Sequence, residues 1–118
     1  MISTNTFLQG LFAFTGTGLN EFDPIGPGLT HFVPDGRLCQ ALYFRGGNST
    51  DELIVVALLR DGAVMRLFPI GAKSDVHVPL RGVEDIDGGS ALELKVAAPS
   101  GVSGTVVVDL GLLAHCHD

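Results

Sequence analysis

Apolar residues in this chain come in short runs, and the two strongest runs are joined by a turn. Leu53-Ile54-Val55-Val56-Ala57-Leu58-Leu59-Arg60 is followed by Asp61-Gly62 and then by Ala63-Val64-Met65-Arg66-Leu67-Phe68. This arrangement predicts a β-hairpin, because a two-residue type I′ turn needs positive φ at both central positions and Asp-Gly supplies it. Closure over two residues pairs Leu59 with Val64, Leu58 with Met65, Val56 with Leu67 and Val55 with Phe68. Both faces of the ribbon are apolar apart from Arg66 and the terminal Arg60. An antiparallel ribbon with one wet face alternates apolar and polar residues, so the second face of this one calls for a sheet, a loop or a partner to cover it.

The rest of the chain has the same grammar, with no stretch of helical period. Residues 6–14 form a first strand candidate with Gly10 as a bulge or bend. Residues 15–28 hold four glycines and two prolines and read as a long irregular loop, or as an arm reaching to a neighbouring subunit. A short strand follows at 29–33, and Pro34-Asp35-Gly36-Arg37 suits a type II turn. Over 38–44, Leu38, Gln40, Leu42 and Phe44 fall on one side and Cys39, Ala41 and Tyr43 on the other. Residues 46–51 read as a loop, and 76–80 as an edge strand because Pro79 sits inside it. Residues 82–90 read as an acidic turn region. In residues 91–97, Leu92, Leu94 and Val96 oppose Glu93 and Lys95, and the last strand spans 105–113. About eight strands at ten-residue spacing predict an all-β chain, a single-domain antiparallel β-sandwich over 1–118, jelly-roll-like.

Composition adds a demand. Hydrophobic residues make up 46% of the 118 and glycines number 16, together about 60% of the chain against the usual ~45–50%. Charged residues are 17%, where ~25% is typical. The surplus apolar surface points to a homo-oligomer or to a larger protein partner. The net charge of −6, with seven basic residues spread singly, excludes a nucleic-acid partner. No apolar run approaches the ~20 residues of a membrane span, and the N-terminus has no positive n-region, so no membrane association and a cytoplasmic location are expected. Cys39 and Cys116 are expected as two reduced thiols, Cys39 packing as a small hydrophobe.

Candidate chemistry is sparse. His115-Cys116-His117 gathers imidazole and thiolate at the C-terminus, and His115 and His117 share a face of an extended strand. With His77 or His31 as a further ligand, this set is the candidate zinc or copper site. No other cofactor is indicated. The carboxylates of Glu84-Asp85-Ile86-Asp87 lack the alternating ligand pattern of a calcium loop. No serine lies in a nucleophile elbow, and the glycine pairs have no helix after them to receive a phosphate. Arg66, in mid-strand on an apolar face, needs a carboxylate or an anionic ligand. The sequence thus points to a non-catalytic interaction or assembly subunit. The alternatives are a small-molecule or metal-binding sandwich using its mouth loops and C-terminal histidines, and a jelly-roll-type enzyme.

Overall fold

A computed structural model describes residues 3–81 and 85–116, with the backbone alone described at Cys116. These residues contain ten strands: β1 (Ser3–Thr15), β2 (Gly18–Pro24), β3 (Thr30–Phe32), β4 (Arg37–Asn48), β5 (Ile54–Arg60), β6 (Ala63–Ile70), β7 (Asp75–Pro79), β8 (Asp85–Asp87), β9 (Ala91–Ala98) and β10 (Ser103–Cys116). They contain no helix, so none that could cross a membrane. The chain is an antiparallel β-sandwich. One sheet runs β1-β10-β4, with β7 and β8 sharing the far side of β4; the other runs β6-β5-β9, with β2 and β3 sharing the far side of β9.

Alternation explains which sheet faces meet. Val106, Val108, Leu110 and Leu112 of β10 are buried, and so are Ile54, Val56 and Leu58 of β5 and Leu92, Leu94 and Val96 of β9. These inward rows form one hydrophobic cluster across both sheets. Phe44 of β4 and Phe68 of β6 stack across the gap with ring centroids 4.2 Å apart and planes 10° from parallel.

The hairpin tip is as the Asp-Gly pair requires: Asp61 has φ 52° and Gly62 φ 83°. A β-branched side chain resists such a backbone, so Gly62→Val should lower stability by about 1 kcal/mol or more, read as a shift in the urea midpoint. The expected pairing holds at Leu59–Val64 and then slips by one residue. A bulge sets Leu58 opposite Arg66, Val56 opposite Phe68 and Val55 opposite Pro69. The slip sends Phe68 and Ile70 into the core and leaves Arg66 partly buried beside the bulge. Pro69 does not stop the strand, because β6 is an edge and the ladder there needs no donor on its open side.

Other expectations are corrected. Gly10 is no bulge: β1 pairs with β10 without a register shift from Ser3–His115 to Thr15–Ser103. Its missing side chain is instead what the Phe12 ring needs, since a Cβ there would lie 2.5 Å from that ring. Residues 15–28 are not an arm. Gly18–Pro24 forms β2 along β9, and Ile25 and Leu29 are buried in the chain's own core. The acidic stretch contributes β8, whose Ile86 is fully buried against Cys39 of β4. Finally, β4 does not end at Phe44 but continues through Arg45-Gly46-Gly47 to Asn48, which was expected to be loop.

A bulge in β4 breaks its simple alternation. Gly111 of β10 pairs with Tyr43 and Leu112 with Ala41, so Leu42 is the extra residue. Before it, Cys39 and Ala41 face the core; after it, Phe44 does, and Tyr43 and Arg45 face outward.

Candidate binding site

The outer face of the first sheet carries the best-defined side-chain constellation among the described residues. The registers stack its outward residues into rows about 7 Å apart. One row reads Phe7, Gly111, Tyr43, Pro79; the next reads Gln9, Asp109, Arg45, His77; the third reads Leu11, Val107, Gly47, Asp75. An apolar and aromatic row therefore lies beside a polar row, and that row beside a glycine-floored depression.

Tyr43 is the centre. Its ring lies on the backbone of Gly111, where a Cβ would come within 2.3 Å of the ring edge, so only glycine leaves room for it. Its hydroxyl donates to Asp109 Oδ1 at 3.0 Å. The Arg45 guanidinium sits 5.3 Å from the ring centroid, and the His77 imidazole meets the ring edge-on at 6.1 Å. Desolvation, then the hydrogen bond and the charge of Asp109, raise the phenol above its usual pKa, and Arg45 pulls the other way. The ring is thus held by three strands, β10, β4 and β7.

Beside it the surface sinks over Gly47. Two adjoining depressions share Gly47, Asp75 and Val107 and hold about 580 and 390 Å³. Arg45 and His77 close one end of this trough; Ser49, Lys73 and Ser74 close the other. Leu11, 69% exposed, and Val107, 45% exposed, form an apolar wall facing Asp75. Both depressions are shallow and open to solvent. Buried Asn48 braces the far end. Its amide donates to the carbonyls of Glu52, Ile70 and Gly71 at 2.8–3.1 Å, and its oxygen accepts from the Thr50 amide and hydroxyl at 2.9 and 2.8 Å.

The metal candidates are not brought together. His115 pairs with Leu38 and His77 with Arg45, seven residues apart along β4, so roughly 20 Å separates them along the sheet. Metal ligands must all lie within about 2 Å of one ion, so His77 cannot join His115. The His115 ring instead lies 3.1 Å from the Ser3 hydroxyl. His31 belongs to β3 in the other sheet, where burial lowers its pKa. His117 and the Cys116 side chain lie outside the described residues. Among the described residues no group of three His, Cys, Asp or Glu side chains is placed to hold a metal ion. Cys39 is a free thiol sealed in the core, where burial pushes its pKa up to about 11.

Sequence patterning singles out Arg45, together with Arg66, as a candidate for an anionic ligand, but not Tyr43, Asp109 or the trough. One signal was available: Tyr43 is the only tyrosine of a tryptophan-free chain. Its outward placement depends on the Leu42 bulge, which no residue type announces.

No family model matches the sequence, and no curated protein matches it significantly. Among solved structures, the chain is similar to the CBM36-1 domain of a multidomain xylanase from the hindgut metagenome of Trinervitermes trinervoides. The superposition has a TM-score of 0.53 and covers 98% of this chain and 100% of that one, at 18% identity. At that identity the likeness establishes the β-sandwich fold alone.

Proposed function

We propose that this chain is a non-catalytic binding module that holds a glycan against the outer face of its first sheet. The observation that carries the reading is the Tyr43 ring, fixed over Gly111 by Asp109 and Arg45, one row beyond the Arg45–His77 end of a trough. Sugars present two kinds of surface, a C–H face and a rim of hydroxyls. The first is matched by an aromatic side chain with an apolar body and a wet tip. The second is matched by charged donors and acceptors, which make the stronger hydrogen bonds. Phe7 and Tyr43 supply the first; Asp109, Arg45 and His77 supply the second one row away, and Asp75 adds to it from the row beyond. The trough is open along its length and suits a chain-like ligand. The similar xylanase domain supports the reading as a sandwich of the same fold within a polysaccharide-degrading enzyme.

Titration calorimetry and affinity electrophoresis against soluble polysaccharides and their oligosaccharides test it. Wild type should bind at least one of them. Tyr43→Ala should weaken that binding by about tenfold or more, the weight of a central aromatic anchor. Tyr43→Phe keeps the ring, loses only the bond to Asp109, and should fall between the two. Circular dichroism and thermal melting verify the fold of each variant. A wild type that binds none of the glycans, or an equally tight Tyr43→Ala, ends the proposal.

A further inference from the structure

We infer that the open edge of β1 is the contact through which two copies of this chain associate, continuing the first sheet across a twofold axis. A sheet edge presents unpaired N–H and C=O groups, and proteins blunt such edges with charge, proline, bulges or brevity. The other edge strands here do so. β6 has Arg66, Pro69 and a bulge; β7 has Asp75 and Pro79; β2 has Glu21, Asp23 and Pro24; β3 and β8 are three residues each. In contrast, β1 is thirteen residues long, Ser3-Thr4-Asn5-Thr6-Phe7-Leu8-Gln9-Gly10-Leu11-Phe12-Ala13-Phe14-Thr15, with no charge, no proline and no register break. At about 3.4 Å per residue it spans ~44 Å, most of the molecule's 49 Å long dimension. Among the described residues only one of its sides is paired, to β10.

The order of residues in β1 names the occupant. Antiparallel pairing of two β1 strands about Gln9 uses all thirteen residues. On the outer face Gln9 then meets Gln9 of the second copy, and Phe7 meets Leu11 of the second copy twice over. Phe7 and Leu11 are 49% and 69% exposed, and Leu11 is the most exposed of the large hydrophobic residues. Phe7 and Leu11 therefore each find an apolar cross-strand partner in the other residue on the second copy, and such pairs are what stabilise a sheet. Because Leu11 also walls the trough, the second copy's Phe7 would stand at its rim and align the two troughs across the axis. The surplus apolar surface of the sequence is thereby covered at β1. The hairpin's outer face, in contrast, already has Ala57 and Leu59 buried by their own neighbours, although Leu67 and Val64 remain half-exposed.

Sedimentation velocity up to about 100 µM tests this, since dimerisation is concentration-dependent. The expected species has twice the 12.3 kDa chain mass. Gln9→Lys puts two like charges face to face on the axis and should return the protein to monomer, with its circular dichroism unchanged. Gln9→Cys places two thiols on a residue pair whose Cα separation of ~4.5–5.5 Å permits a disulfide, and should give a covalent dimer under mild oxidation. Asn5→Cys, which faces Ala13 of the second copy, should not. Monomeric wild type overturns the inference and leaves the edge to a different chain. A dimer that survives Gln9→Lys and is not trapped by Gln9→Cys overturns it too, placing the contact elsewhere, with Leu67→Lys as the check on the hairpin face. If Gln9→Lys fails to fold, trapping at Gln9→Cys against the Asn5→Cys control decides. Glycan binding by a monomer would leave the proposed site standing.

Discussion

Phe44→Ala should lower the stability of this domain by about 3–5 kcal/mol, the range for removing a buried aromatic ring. Phe44 is fully buried and lies flat on Phe68, so one truncation takes an aromatic ring from the first sheet and strips the second sheet's ring of its partner. Against the usual total of ~5–15 kcal/mol for a domain, the loss is large. The melting temperature should fall by roughly 10–20 °C. Phe44→Ala combined with Phe68→Ala should cost less than the sum of the two single changes, because each already forfeits the shared stack. Additive losses would show that the stack couples nothing and that each ring counts only by its own burial.

Asn48→Ala should cost about 2–4 kcal/mol although it deletes no apolar group. One amide serves three carbonyls and accepts from both donors of Thr50, and buried or half-buried partners left unpaired each carry a desolvation cost of ~1–3 kcal/mol. The segments it ties, Thr50 to Glu52 and Ile70 to Gly71, lead into Lys73 and Ser74 at the trough's end. Amide hydrogen exchange around 71–74 should therefore quicken in this variant before the strands respond. Asn48→Asp separates hydrogen bonding from size. A carboxylate cannot donate to carbonyls, so its pKa is expected above the usual carboxylate value in the folded state. The stability penalty relative to wild type should then be smaller in acid and grow as pH rises through that value.

The parts of this architecture that sequence made legible are those governed by short-range rules. Asp61-Gly62 marked its turn, Pro79 marked an edge, and Leu92, Leu94 and Val96 marked their buried face. Long-range accommodation stayed hidden. Gly46 and Gly47 read as turn residues, yet they extend β4, because Phe44 and Ile70 need the space that Gly46 leaves. Glycine and proline in residues 15–28 suggested a loop, whereas β9 had an unpaired side for Gly18–Pro24 to fill. The binding face was hidden for a further reason. Its rows are composed across β1, β10, β4 and β7, and the Leu42 bulge decides which β4 residues join them. The C-terminal histidine cluster showed the converse: chemistry adjacent in sequence whose supposed fourth ligand, His77, stands at another level of the sheet.

The pairing of β1 with β10 also orders events during biosynthesis. Ser3 and His115 meet across 112 positions of chain, so β1 must wait for β10, which follows every other described strand, to pair with it. While β2 to β9 are being added, β1 has neither of its edges covered. It is uncharged, free of proline, and carries Phe7, Leu8, Leu11, Phe12 and Phe14. Such a segment on a ribosome is a standing invitation to strands of neighbouring nascent chains, and non-local closure of this kind is slow. Yield in a host cell should therefore depend on elongation rate and on chaperones that hold extended apolar segments, more than on the stability of the finished sandwich.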